Sequence, residues 1–528
     1  MPDTRRLTEV VWFKRDLRVH DHAPLARAAV RGPVLPLYVF EPELLSAPDM
    51  SAQHVFFAAE CLAELDDELR KLGAPLMIHW GSMPEVLETL ASRHGPLRLW
   101  SHEETGNGRT FARDLRVRAW CRARRVEWIE IPQHGVFRGL RNRDRWSAAW
   151  DSRMTEPVVP VPGKLRPAVA GPADDNGPLV DALPVPGRDK RERQRGGRTE
   201  SLRLLDSFLG GRATDYRSAM SSPLSATSHC SRLSPYLAFG TVSVREVAQA
   251  LWRRRAELTA ERPDRRPREL LASLKSFEAR LHWRCHFIQK LESEPELEFR
   301  NMHRGYDTLR HPDAHPERLD AWRRGETGYP MVDACMRMLA ATGWLNFRMR
   351  AMLVSFASYQ LWLHWQEPAL HLAREFLDYE PGIHYPQVQM QSGTTGINAI
   401  RMYNPVKQAR DQDPEGAFVR RWIPELAAVP AEFLFEPWTM PESVQRRTGA
   451  RIGVTYPPPI VDLAVASRLA RERIHAVRRR PEVREHAHQV YQRHGSRNPA
   501  REGSPRRAKR PGQYDERQAS LFPDTDDR

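Results

Sequence analysis

The chain has 528 residues, too many for a single core, so two or three domains are expected. A net charge of +14 on a chain with 41% hydrophobic residues points to a folded protein with an anionic partner, most simply nucleic acid, although arginine-rich composition and a basic tail inflate that charge. No apolar run is long enough for a membrane helix, charges interrupt the start MPDTRRLTEVVWFKRDLRV, and the five cysteines (Cys61, Cys121, Cys230, Cys285, Cys335) lack any zinc spacing, so a cytoplasmic protein with reduced thiols and no metal is expected.

Along residues 8–150 strand and helix signals alternate. VVWFKRDL, VLPLYVFEP, PLMIHWG and PLRLWSHEE are short apolar runs of the kind buried in parallel sheets, and 52–72 between them is helix-like. This predicts a doubly wound α/β domain with ligands beyond the carboxyl ends of its strands. KRDLRVHDH at 14–22 falls at such a place, and no G-x-G-x-x-G fingerprint occurs there. Residues 151–200, rich in Pro, Gly and charge, read as a connector partly pinned to the surface.

From 201 to 475 helical periodicity dominates, at 243–258, 270–292, 329–341, 346–365 and 367–378, which predicts an all-α domain. Four stretches in it carry chemistry. TSHCSRLSPYLAFG clusters the hydroxyls of Thr227, Ser228, Ser231 and Ser234 before an apolar helix, either a phosphate site or an ordinary cap. HWRCHFIQKL sets Trp283 beside Arg284, for base stacking or for core packing. In GWLNFRMR, Arg348 and Arg350 stand two apart on a helix and so diverge. LDYEPGIHYPQVQMQSG at 377–393 places Asp378 and Glu380 before Pro-Gly, a pair suited to an arginine, a cation or a ligand N–H. Residues 476–528 are charged and poor in apolar side chains, which predicts a basic disordered tail.

In order, VVWFKRDLRVHDH, CSRLSPYLAFGTVSVRE, AWRRGETGYPMVDACMRMLAATGWLNFRMR and MYNPVKQARDQDPEGAFVRRWIPEL resemble the photolyase/cryptochrome family over about residues 8–475. The resemblance implies an α/β antenna-type domain and a helical domain holding FAD. In photolyases the light-excited reduced flavin passes an electron to a flipped pyrimidine dimer in UV-damaged DNA. It further implies flavin contacts at Tyr216, Ser231, Leu233, Ser234, Arg284, Trp344, Arg350, Asp378 and Glu380, with Arg350 paired to Asp378. His384 falls at the variable position opposite flavin N5; the alternative is a histidine bonded to a neighbouring carbonyl. On the DNA face the implied positions are Trp283 against the dimer and Arg348 toward the backbone. Arg280 stands where a base-contacting Glu is usual, and Met390 where a second dimer-packing tryptophan is common. Trp365 matches the middle of the family's tryptophan chain, whereas Val388 replaces its flavin-proximal member. Trp362, Trp344, Tyr379 and Tyr385 are candidate substitutes.

Asn107 resembles a folate-contacting residue, and folate, a deazaflavin or no antenna all fit. The expected function is a blue-light DNA photolyase, a lyase acting on UV pyrimidine dimers, with a cryptochrome-like photoreceptor as the alternative. QASLF at 518–522 resembles a sliding-clamp-binding pentapeptide.

Overall fold

The computed structural model describes residues 7–140, 142–168, 185–262 and 266–495. Its N-terminal part is a five-stranded, wholly parallel sheet: β1 (Thr8–Phe13), β2 (Val34–Phe40), β3 (Met77–Trp80), β4 (Leu97–His102) and β5 (Glu127–Ile131), in the spatial order β3-β2-β1-β4-β5. Every residue of β1 is buried, as a central strand covered on both faces requires. The covering helices are α1 (Ala23–Arg31), α2 (Ala52–Leu72), α3 (Met83–His94) and α4 (Gly108–Arg124). The edge strand β5 is only partly buried and was not among the predicted strands, because EWIEI alternates charge with apolar residues too briefly to stand out.

The connector is pinned where it is described. Leu165 N–H donates to Leu72, Val34 N–H to Arg166, and Arg193 forms an ion pair with Glu60 at 2.9 Å. It then enters a helical domain built on α5 (Ser234–Phe239), α6 (Val244–Ala260), α7 (Arg268–Ser293), α8 (Pro330–Thr342), α9 (Phe347–Ser355), α10 (Gln366–Glu375) and α11 (Pro381–Ser392). The window read as one helix over 346–365 widens into a π turn at Phe356–Gln360 and stops before Trp362, whose φ is 59°. Two close approaches fix the architecture. A Cβ on Gly240 would lie 2.3 Å from the Arg15 carbonyl oxygen, at φ +71°, where the two domains meet. One on Gly382 would lie 2.7 Å from Ile288 Cα, where α11 packs on α7.

The tail differs from expectation. Helices α12 (Leu463–Arg478) and α13 (Pro481–His494) continue the fold, with Val483, Val490 and His494 buried. His494 Nε2 meets Glu294 at 2.6 Å, and His303 Nε2 donates to the Val483 carbonyl at 2.8 Å. Sparse apolar residues suffice there because each lies on the face of α13 that meets the domain. The QASLF pentapeptide lies outside the described residues.

Candidate functional site

A cavity of about 840 Å³ opens in the helical domain. Helix α7 supplies one wall through Phe277, Arg280, Trp283, Arg284 and Phe287, a stripe at spacings of three and four. The segment before α5 adds Ser231, Leu233 and Ser234, and Tyr216 lies beside them. Trp344, Arg348 and Arg350 come from the start of α9 and the turn before it, Asp378 from the turn after α10, and Glu380 from the extended residue leading into α11. Twelve of the residues singled out in the sequence therefore converge on one cavity. Thr227 and Ser228 do not: both are exposed, and their hydroxyls donate to carbonyls within their own turn.

The charges are organised in pairs with a surplus. Arg350 donates both terminal nitrogens to Asp378, each at 2.9 Å. Burial works to raise the Asp378 carboxyl, but Arg350 outweighs it and holds the group below the usual carboxylate value. Arg284 lies 3.3 Å from Glu380. Seven arginines and only these two carboxylates line the cavity. Arg232, Arg217 and Arg401 were missed by sequence reasoning. The Arg232 backbone is left-handed (φ 61°), and its guanidinium sits 3.9 Å over the Trp344 ring. Burial pushes its pKa down to about 10. Arg280 likewise stacks 4.2 Å over Trp283.

Four expected residues lie elsewhere. On α11, Ile383 and Gln387 continue the cavity face begun by Glu380, so His384 and Val388, one position on, turn into the core. His384 Nε2 lies 2.8 Å from the Ala369 carbonyl oxygen and packs against Phe376, Tyr379 and Tyr385. Burial lowers its pKa to about 4, so it is a neutral structural histidine and does not face the cavity. Met390 is outside the cavity lining as well. Trp365 is buried behind α11 with its Nε1 donating to Asn301 at 2.8 Å. The Asn107 side chain is spent within the protein: it caps α4 through Thr110 N–H and donates to Asp49 at 2.8 Å.

The residues present fit a flavin dinucleotide. The volume is in the range of cofactor sites. The surplus guanidiniums suit a diphosphate. Three buried polar atoms on the lining, Gln387 Oε1, Arg284 Nη1 and Asn346 Oδ1, have no protein partner, a costly state unless a ligand satisfies them.

A second, smaller cavity of about 160 Å³ lies at the carboxyl ends of β1 and β2, lined by Trp12, Tyr38, Phe40, Asp49, Asn107 and Tyr379 among others. Its charges balance internally: Arg113 binds Glu41 and Asp114, each at 2.9 Å, and Glu104. Deeper between the domains, Asp16 Oδ2 meets His22 Nε2 at 3.0 Å and His102 Nδ1 at 2.7 Å, a spacing a metal ion could bridge. However, His22 Nδ1 accepts from Leu25 N–H to cap α1, so its proton sits on Nε2 and is given to Asp16. The cluster is a hydrogen-bonded relay rather than a ligand set.

A parallel α/β domain docked on a helical domain with a deep arginine-lined cavity defines a two-domain protein with a cationic site in its helical half. Residues 277–476 match the family model for the FAD binding domain of DNA photolyase, and 9–142 match that for DNA photolyase. The chain is 31% identical to a cryptochrome DASH of Gloeobacter violaceus, over 86% of this chain and 93% of that one. It is also 31% identical to the deoxyribodipyrimidine photo-lyase of Streptomyces griseus, over 87% and 97%. A crystal structure of a photolyase from Sulfolobus tokodaii with two FAD molecules superimposes with a TM-score of 0.73 at 26% identity, covering 89% of this chain and 100% of that one. The chain belongs to the photolyase/cryptochrome family.

Proposed function

We propose that this protein is a blue-light-driven, FAD-dependent photolyase that splits pyrimidine dimers in UV-damaged DNA. The observation that carries this reading is the charge surplus of the large cavity, where both carboxylates are already paired and further guanidiniums at Arg217, Arg280, Arg348 and Arg401 line the wall. FAD, when bound, supplies the light-driven electron. Ser231, Leu233, Ser234 and Tyr216 hold its diphosphate side. The Arg350–Asp378 pair and Glu380 face its ring, Asp378 staying ionised to fix Arg350 in place. Trp344, clamped by Arg232, walls the same side. Trp283 offers a flat apolar face to an unstacked base. Arg280 on that face donates hydrogen bonds and accepts none, so base carbonyls are the groups it meets. Arg348 serves the DNA backbone.

The aromatic rings of the smaller cavity, rather than Asn107, are the contacts open to a second chromophore, which its volume of about 160 Å³ would hold only in part. The test is repair of defined cyclobutane and (6-4) lesions with and without blue light, together with the absorption spectrum of the purified protein. Light-dependent loss of cyclobutane dimers is expected. A second reading, a photoreceptor, is favoured by Arg280 and by the absence of Met390 from the cavity wall. Failure to repair either lesion, with light-dependent partner binding, would decide for it.

A further inference from the structure

Residues 378–381 separate the two cavities, and their side chains alternate between them. Asp378 and Glu380 line the large cavity, whereas Tyr379 and Pro381 line the small one. The backbone explains this. Helix α10 has ended at Glu375 and α11 starts at Pro381, and Glu380 between them is extended (φ −133°, ψ 108°). Leu377 and Asp378 form a turn, and the extended step at Glu380 sends its side chain and that of Tyr379 to opposite sides. The Tyr379 ring is therefore one backbone thickness from the large cavity, and it is only 6% exposed.

That ring has partners suited to electron transfer. Its hydroxyl donates to Asp49 Oδ2 at 2.7 Å and lies 3.4 Å from the Tyr385 hydroxyl. The Tyr385 ring meets Trp365 edge-on, with centroids 6.3 Å apart. Trp365 in turn stacks at 5.8 Å on His364, which is half-buried. Three oxidisable rings thus run in series outward from the segment between the two cavities, on the side of α11 where Val388 offers nothing to oxidise.

We propose that Tyr379 is the electron donor to a flavin in the large cavity, with Asp49 as its proton acceptor and Tyr385 and Trp365 as the next donors outward. This rests on the flavin reading above. A photo-excited oxidised flavin takes one electron from Tyr379. The phenol O–H bond breaks, and its proton passes along the 2.7 Å bond to Asp49, leaving a neutral tyrosyl radical and a protonated carboxyl. Tyr385 or Trp365 refills Tyr379 as the proton returns from Asp49, and an external dithiol re-reduces the last ring, one dithiol being oxidised to its disulfide for every two electrons delivered. Burial raises the phenol's pKa, so oxidation needs a bonded base, which Asp49 provides.

The experiment uses the full chain loaded with FAD, illuminated with blue light in the presence of dithiothreitol, and followed by transient absorption and electron paramagnetic resonance. A tyrosyl radical is expected in the natural protein. Tyr379→Phe should lose that signal and slow flavin bleaching by about tenfold while keeping its flavin. Tyr379→Trp, which keeps an oxidisable ring, should restore bleaching with a tryptophanyl signature, an outcome a packing role would not produce. An unchanged radical and rate in Tyr379→Phe overturns the relay. If that variant loses flavin, Asp49→Asn decides, since it keeps the ring and removes the base: slower radical formation supports the relay, and an unchanged rate overturns it. Absence of bound flavin in the natural protein would instead overturn the flavin reading, and the relay with it.

Discussion

The two cavities of this protein hold charge in opposite ways. In the α/β domain Arg113 is surrounded by Glu41, Glu104 and Asp114, and Lys14 lies 3.7 Å from both Glu104 and Asp114, so the small cavity is balanced within the protein. In the helical domain seven arginines meet two carboxylates, and buried polar atoms are left without protein partners. A balanced network is a structural device complete within the protein. An unbalanced one leaves a net positive wall that an anionic guest would complement.

The sharpest way to break this comparison is to remove the hub of the balanced network. Arg113→Ala leaves three clustered carboxylates without their main counter-ion, and should cost about 3–5 kcal/mol in chemical denaturation whether or not FAD is present. Arg350→Ala unpairs Asp378, and should cost about 3 kcal/mol together with most of the bound flavin, read as the ratio of flavin to protein absorbance. Its loss should depend on ligand, and the Arg113 variant's should not. Gly382→Ala pushes α11 off Ile288 and moves the wall common to both cavities; about 1–3 kcal/mol of destabilisation is expected in the same denaturation assay. Arg348→Ala should leave folding intact, weaken DNA binding alike on all sequences, and reduce the salt slope of binding by about one.

The smallest effect is expected at His384. His384→Asn should leave the flavin spectrum unchanged and cost about 1 kcal/mol through the bond to Ala369. Its pH signature is distinct. The folded pKa of about 4 lies below the unfolded 6.5, so in that window the unfolded chain binds the extra proton. The natural protein should lose stability as pH falls from 6.5 and level off near 4, and the variant should lose less over the same range in thermal melts. A flavin spectrum that shifts on this substitution would put His384 back at the cavity.

Much of the architecture was legible in the chain. The runs VVWFKRDL, VLPLYVFEP, PLMIHWG and PLRLWSHEE fall on β1 to β4, and the 52–72 helix spans Ala52–Leu72. β5 was not, because a short, half-exposed edge strand lacks a continuous apolar run. Nor was α13, whose few buried residues are diluted by charge. In the site, Arg350 with Asp378 followed from the family pattern, whereas Arg217, Arg232 and Arg401 did not, since nothing in an arginine-rich sequence marks which arginines face inward.

The stretch LDYEPGIHYPQVQMQSG shows where the division lies. Composition and order determined its family, its acidic pair and the absence of tryptophan. Only the tertiary structure decided which side each residue takes. Helical periodicity turns Gln387 toward the cavity and His384 with Val388 into the core, and an extended step beforehand splits Asp378 and Glu380 from Tyr379. Sequence fixes chemistry residue by residue, but direction depends on the backbone angle at each step and on where the helix begins, and that start is set by packing against α7 and α10.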